Sequence, residues 1–281
     1  MNHTHQHFPT EIWSAGTRVA LRVEYDGSAF HGWQAQPHLS CDTVQECLEH
    51  ALTQIANSPV RTHCAGRTDR GVHGFGQIVH FDDPVGRNAK AWVLGTNSLL
   101  PPTVRVHWAQ SVSGDFHARF SATARRYRYI IANTAIRSAH LNGQVSSYRR
   151  PLDSRLMAEA AQVMIGEQDF SAFRAAQCQA SSPIREIQQL NVSRWGDFVI
   201  IDITANAFLQ HMVRNIAGSL QLIGAGLKPV DWMAQLLSGK DRSKAADTAS
   251  GAGLYLVGVY YPERFGLPSI PDGPAFLSGT M

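Results

Sequence analysis

The chain has 281 residues, 44% of them hydrophobic, with a net charge of only +3, which supplies a real core for one large domain or two of ordinary size. The most apolar stretch, Ile216 to Leu227, is broken by Ser219, Gln221 and three glycines, so no run reaches the length of a membrane-spanning helix. The four cysteines form no C-x-x-C pair and no disulfide ladder, so a reducing, cytoplasmic setting is expected.

Residues 1–16, MNHTHQHFPTEIWSAG, lack a basic or apolar leader and are expected to form a disordered, solvated tail. Thr17 to Tyr25 alternates apolar and charged residues as a half-buried strand ending at Asp26-Gly27. Asp42 or Thr43 caps a helix with Val44, Cys47, Leu48, Ala51, Leu52 and Ile55 on one face, closing near Asn57 to Pro59. Strands at Val60 to Ala65 and Gln77 to Phe81, a helix at Ala89 to Leu99 and a strand at Val104 to Val112 complete a βαββαβ order.

The second half repeats that order in a longer form. It has a strand at Arg126 to Ala132, a helix at Ser154 to Ile165, and a hairpin of Ile184 to Arg194 and Phe198 to Ala205 about Trp195-Gly196-Asp197. A helix at His211 to Ala225, an inserted helix at Asp231 to Leu237 and a strand at Leu254 to Tyr261 follow. The fold class expected is α+β: two ferredoxin-like domains, residues 17–115 and 116–261, with their sheets edge to edge and helices on one face. Residues 262–281, rich in proline and glycine, read as an extended C-terminal strap.

Charge is distributed unevenly. Between Phe116 and Leu152 lie seven arginines with no lysine and no acid, and the chain carries 21 arginines against 4 lysines. Guanidinium groups suit bidentate phosphate contacts and stacking on bases, which raises a nucleic-acid partner; a genome-wide arginine bias explains the same count.

Three segments concentrate chemical groups. Cys64 to His73, C-A-G-R-T-D-R-G-V-H, sets Asp69 between Arg67 and Arg70, with glycines that permit a loop shaped around a ligand; a salt-bridged turn accounts for it equally simply. In Asp115 to Tyr129, Tyr127 and Tyr129 point to one face of a strand and Arg126 and Arg128 to the other. Aromatic and guanidinium groups on an open sheet serve single-stranded RNA binding, although the tyrosines could equally be core. In Asn206 to Asn215, Arg214 enters an apolar, small-residue helix and needs an anionic partner, for which Asp69 is a candidate. His63, His73 and His80 match no metal-ligand spacing, and no phosphate-binding glycine motif occurs, so no metal or nucleotide cofactor is expected.

Taken together, C-A-G-R-T-D-R-G-V-H-G-F-G-Q-I-V-H-F, F-H-A-R-F-S-A-T-A-R-R-Y-R-Y, F-S-A-F and F-L-Q-H-M-V-R-N resemble the TruA family of tRNA pseudouridine synthases, from about Val19 to Leu277. The resemblance implies two ferredoxin-like domains in one antiparallel sheet, a homodimer, and conversion of uridine to pseudouridine at positions 38, 39 and 40 of the tRNA anticodon stem-loop. It places the catalytic aspartate at Asp69, the active-site tyrosine at Tyr127 and the arginine partner at Arg214. The position after the aspartate, often alanine in the family, is Arg70 here. Arg67, Arg70, His73, Arg119, Arg125, Arg126 and Arg128 are the candidate RNA contacts. The isomerisation breaks the N1–C1′ bond, turns the uracil and joins C5 to C1′, so it requires no cofactor, and the target nucleotide must leave the stack. Two rival readings are a tandem RNA-binding module in which Asp69 is dispensable, and a metal-dependent hydrolase using His63, Asp69 and His73.

Overall fold

A computed structural model describes residues 8–35, 43–269 and 272–277. Its centre is one ten-stranded sheet. The first half contributes β1 (Arg18–Tyr25), α1 (Val44–Ala56), β2 (His63–Cys64), β3 (His73–Asp82), α2 (Thr96–Leu99) and β4 (Val104–Val112). The second contributes β5 (Ala124–Ala132), β6 (Ser146–Ser147), α3 (Ser154–Ala161), β7 (Gly166–Asp169), β8 (Ile184–Trp195), β9 (Phe198–Ala205), α4 (Met212–Gly224), α5 (Trp232–Gly239) and β10 (Leu254–Tyr260).

Strands run β4-β1-β3-β10-β5-β9-β8-β7, with β2 on β3 and β6 on β5. Each half therefore has its last strand beside its first, and its first beside its second-to-last, which is the ferredoxin-like order. Pairing is antiparallel except at β5–β6 and at β3–β10, where the halves meet through Tyr255↔His73 and Leu256↔Gly74. The strand expected at Val60 to Ala65 shrinks to β2, which covers β3 only at Val79 and His80; β10 takes the same edge lower down. That edge of β3 is thus covered in part by each half, by β10 at His73 and Gly74 and by β2 at Val79 and His80.

Helix α1 starts at Thr43, whose side chain accepts from the Glu46 backbone N–H, and ends at Asn57 in the left-handed region. Asp42 lies outside the described residues. The helical segment expected at Ala89 to Leu99 contains a π-turn at Ala91–Gly95 before α2. One core packs α1 and Trp92 on Val19, Leu21, Val23, Val79 and Phe81; another packs α3, α4 and α5 on Tyr127, Tyr129, Ile131, Leu254 and Leu256. The opposite face of β5 and β10 carries Ile130, Ala132, Tyr255 and Val257, covered by Leu277 of the C-terminal strap.

The described parts of both terminal segments pack more closely than their composition suggests. Residues 8–16, expected as solvated tail, are anchored by the Trp13 N–H donating to the Arg87 carbonyl and the Gly16 N–H to Asp83, with Phe8 and Trp13 against the first core. The strap is pinned by Phe265 and Leu277. No described helix is long and apolar enough to cross a membrane.

Candidate active site

The connection from β2 to β3 carries Asp69 at the seam between the halves. Its local shape is set from several sides. Thr68 Oγ1 hydrogen-bonds the Tyr25 hydroxyl at 2.9 Å, the Thr68 carbonyl accepts from the Trp33 N–H at 3.0 Å, and the Val72 N–H closes a turn onto the Asp69 carbonyl at 3.1 Å. Gly71 adopts φ +74°, a conformation costly for any residue with a Cβ. Gly32, at φ +101°, backs the loop so closely that an added Cβ would lie 2.7 Å from the Thr68 carbonyl oxygen. Gln77 holds the other end, donating from Nε2 to the Gly66 carbonyl at 2.6 Å.

Asp69 is one-third exposed and points across the seam. Arg214 Nη1 donates to Asp69 Oδ2 at 3.2 Å, while Arg214 Nε donates to the Ala249 carbonyl at 2.8 Å. His211 Nε2 lies 3.3 Å from the same Oδ2. The carboxylate of the first half is thus gripped by two side chains of the second. Arg214 occupies the first turn of α4, and that helix is seated by Asn215 Nδ2 donating to the carbonyl of Phe173, itself the buried end of F-S-A-F.

His211 is the member of the site that the sequence reading missed. It sits immediately before α4 at φ 63°, a strained conformation for a histidine that persists only where its surroundings demand it. Burial pushes its imidazole below the ordinary value against the pull of Asp69, with Arg214 and Arg242 adding to the fall. It is accordingly neutral near pH 7. Local spacing gave no sign of it, although it lies inside F-L-Q-H-M-V-R-N.

Tyr127 lies on the helix-covered face of β5, 8% exposed, its ring edge-on to Phe208 at 5.0 Å. No hydrogen-bond partner for its hydroxyl occurs among the described residues, and a Cβ at Gly66 would lie 3.5 Å from that oxygen. Burial holds the phenol well above the usual tyrosine range, with Arg125 opposing and Asp69 adding. Tyr127 is therefore a neutral hydroxyl beside a carboxylate.

The candidate RNA contacts divide into three groups. Arg67, Arg70 and Arg119 are exposed, and none has a carboxylate partner among the described residues. Arg125 is half-buried and donates to four backbone carbonyls, those of Ala65 (3.2 Å), Arg119 (2.5 Å), Ala122 (3.2 Å) and Asn206 (3.0 Å). It ties the Asp69 side of the seam to the Phe116–Ala122 loop. Arg126, Arg128 and His73 are not brought to the cleft. Arg126 and Arg128 project from the opposite face, where both pair with Asp202, Arg126 also meets Asp272, and Arg128 donates to the Gly273 carbonyl. His73 is buried, stacked on Tyr255 at 4.5 Å, with Nε2 donating to the Gly143 carbonyl at 2.9 Å.

The arrangement is a carboxylate held at the seam by Arg214 and His211, a neutral phenol on the neighbouring strand and exposed guanidinium groups on the adjoining loops. Such a site can act on a flexible anionic polymer by acid, base or nucleophilic chemistry at one residue. Comparison with known proteins agrees with that shape. The family described as tRNA pseudouridine synthase matches residues 21–121 and 160–262. A tRNA pseudouridine synthase A from Photobacterium profundum is 58% identical over 92% of this chain and 99% of its own length, and one from Idiomarina loihiensis is 56% identical over the same shares.

Proposed function

The chain belongs to the tRNA pseudouridine synthase family, and from that premise we propose that it isomerises uridine to pseudouridine in the tRNA anticodon stem-loop, at positions 38, 39 and 40, with Asp69 as the essential residue. The observation that carries this reading is the Asp69 carboxylate held across the seam by Arg214. A guanidinium at 3.2 Å pairs with the carboxylate and orients it, as both attack on C1′ and removal of a ribose proton require.

The chain's residues divide the work. Asp69 faces the sugar; Arg214 and His211 fix its orientation so that the reacting oxygen is presented without reorganisation. The Tyr127 ring offers a stacking surface to the extruded uracil, and its hydroxyl, held protonated by burial, is a hydrogen-bond donor or acceptor at the turning base. Through the reaction the base loses its C5 hydrogen and gains one at N1, so no outside group and no net redox change are needed. Arg67, Arg70 and Arg119 supply phosphate contacts from the rim. We assign the protein to the cytoplasm as a homodimer; light scattering of the purified chain tests the assembly.

The deciding experiment is tritium release from C5-labelled uridine in tRNA. Asp69→Asn is expected to bind tRNA and release no tritium above background. Release at the unmutated rate would remove Asp69 from the chemistry, and pseudouridine mapping that placed the product outside the anticodon arm would overturn the positional assignment.

A further inference from the structure

Away from the Asp69 loop, three histidines meet on β2, β3 and the loop after β4. The ring centroids of His63 and His80 are 5.0 Å apart, those of His80 and His117 4.6 Å, and those of His63 and His117 5.4 Å. They line a cavity of about 350 Å³ together with Arg18, Pro59, Arg61, Phe81 and Asp82. His80 lies seven residues along β3 from His73, about 23 Å from the catalytic end of that strand.

The hydrogen bonds behind the rings decide what the cavity can hold. The Ala118 N–H donates to His80 Nδ1 at 3.1 Å, and the Arg119 and Phe120 N–H groups donate to His117 Nδ1 at 3.1 and 3.3 Å. With Nδ1 occupied as acceptor, each neutral ring carries its proton on Nε2. Both rings therefore present donors, whereas a metal ion would need the lone pair that this tautomer lacks. The neighbouring carboxylates are already engaged: Asp82 by Arg18 at 2.8 Å and Glu49 by Arg61 at 3.0 Å. A pocket with N–H donors, guanidinium groups and compensated acids favours an oxyanion.

The adjoining surface indicates the source of that anion. Phe120 packs against His117 with tilted rings, centroids 4.3 Å apart, and stays 75% exposed, and the exposed Arg119 lies 5.5 Å from its ring. The same loop reaches the catalytic seam through the bond from Arg125 to the Arg119 carbonyl. An exposed aromatic ring and a free guanidinium beside an oxyanion pocket suit a polynucleotide better than a lone ion.

We propose that His63, His80 and His117 form a second RNA-contact site that grips a backbone phosphate of the substrate, remote from the uridine being isomerised. This rests on the reading of the substrate as tRNA. Burial, with His117, His63 and Arg18 adding, pushes His80 down to about 3, so its ring meets the phosphate as a neutral donor.

The test has two arms. Titration of the unmodified protein with inorganic phosphate, followed by imidazole NMR, is expected to shift the His63, His80 and His117 resonances saturably, while chloride at equal ionic strength does not. In the second arm, tRNA binding is measured against salt for the double variant His63→Ala, His117→Asn, whose asparagine keeps an acceptor near the Nδ1 position. Because the rings are neutral donors, their loss should weaken tRNA binding about tenfold and leave the slope of log affinity against log salt unchanged. Identical responses to phosphate and chloride would overturn the pocket, and phosphate-specific shifts with unchanged tRNA affinity would overturn its assignment to RNA. Neither arm measures catalysis, so failure here is separable from failure of the Asp69 assignment.

Discussion

Arg214 meets Asp69 at 3.2 Å although the two are separated by 145 positions in the chain. The contact joins the loop between β2 and β3 to the first turn of α4. Because Arg214 also donates to the Ala249 carbonyl, its guanidinium is used as a fork, a geometry that lysine cannot reproduce. Arg214→Lys is expected to keep the fold and lose about 10- to 100-fold in turnover, equivalent to about 1.5 to 3 kcal/mol for a charge-assisted hydrogen bond. Single-turnover kinetics with saturating tRNA checks this, with circular dichroism as the control for folding.

The loop is equally exposed to change from behind. Gly32→Ala introduces a Cβ both at positive φ and 2.7 Å from the Thr68 carbonyl oxygen, so the backbone bearing Asp69 must move. We expect a stability loss of about 1 to 3 kcal/mol and a large loss of turnover with every catalytic side chain still present. Thermal melting and tritium release on the same preparation test the two effects together.

Arg125 is predicted to matter for stability more than for charge. Arg125→Met leaves four backbone carbonyls without their shared donor, at an expected cost of about 3 kcal/mol. Arg125→Lys should recover only part of it, since an ammonium cannot span four acceptors. Urea denaturation distinguishes the three proteins.

Stability should also fall in acid through His80. Burial, with His117, His63 and Arg18 adding, lowers its pKa from 6.5 to about 3, so between those values the unfolded chain binds a proton that the folded chain refuses. The contribution is complete above about pH 6.5 and is lost progressively toward pH 3. A fall of several degrees in melting temperature from pH 7 to pH 5 is expected, reduced in His80→Asn. An equal fall in both proteins would assign the effect to other groups.

Period-two alternation separated Tyr127 and Tyr129 from Arg126 and Arg128 correctly, because a strand side chain has only two directions available. The same rule places Arg125 with Tyr127, which is the signal that could have marked it as a neighbour of the cleft. The limits of β4 and the β8–β9 hairpin were readable for the same reason: each is bounded by its own turn residues. The truncation of β2 was not readable, since it depends on β10 arriving at the same edge nearly two hundred residues later. The left-handed backbone of His211 left no mark either, since no glycine or asparagine stands at that position. Pairwise expectations such as Arg214 seeking a carboxylate could be framed from burial cost; which arginines point away from the cleft depended on Asp202 and Asp272, whose positions only the assembled sheet defines.

The last strand in the sequence, β10, lies between β3 and β5 in the sheet. No shorter portion of the chain can therefore join the two halves through their backbones. During synthesis, Asp69 and Arg214 both leave the ribosome before Leu254, the first residue of the strand that joins their sheets. The site is in this sense a report on completeness: a chain cut short before β10 has the residues of the site and lacks the strand that joins its two sheets.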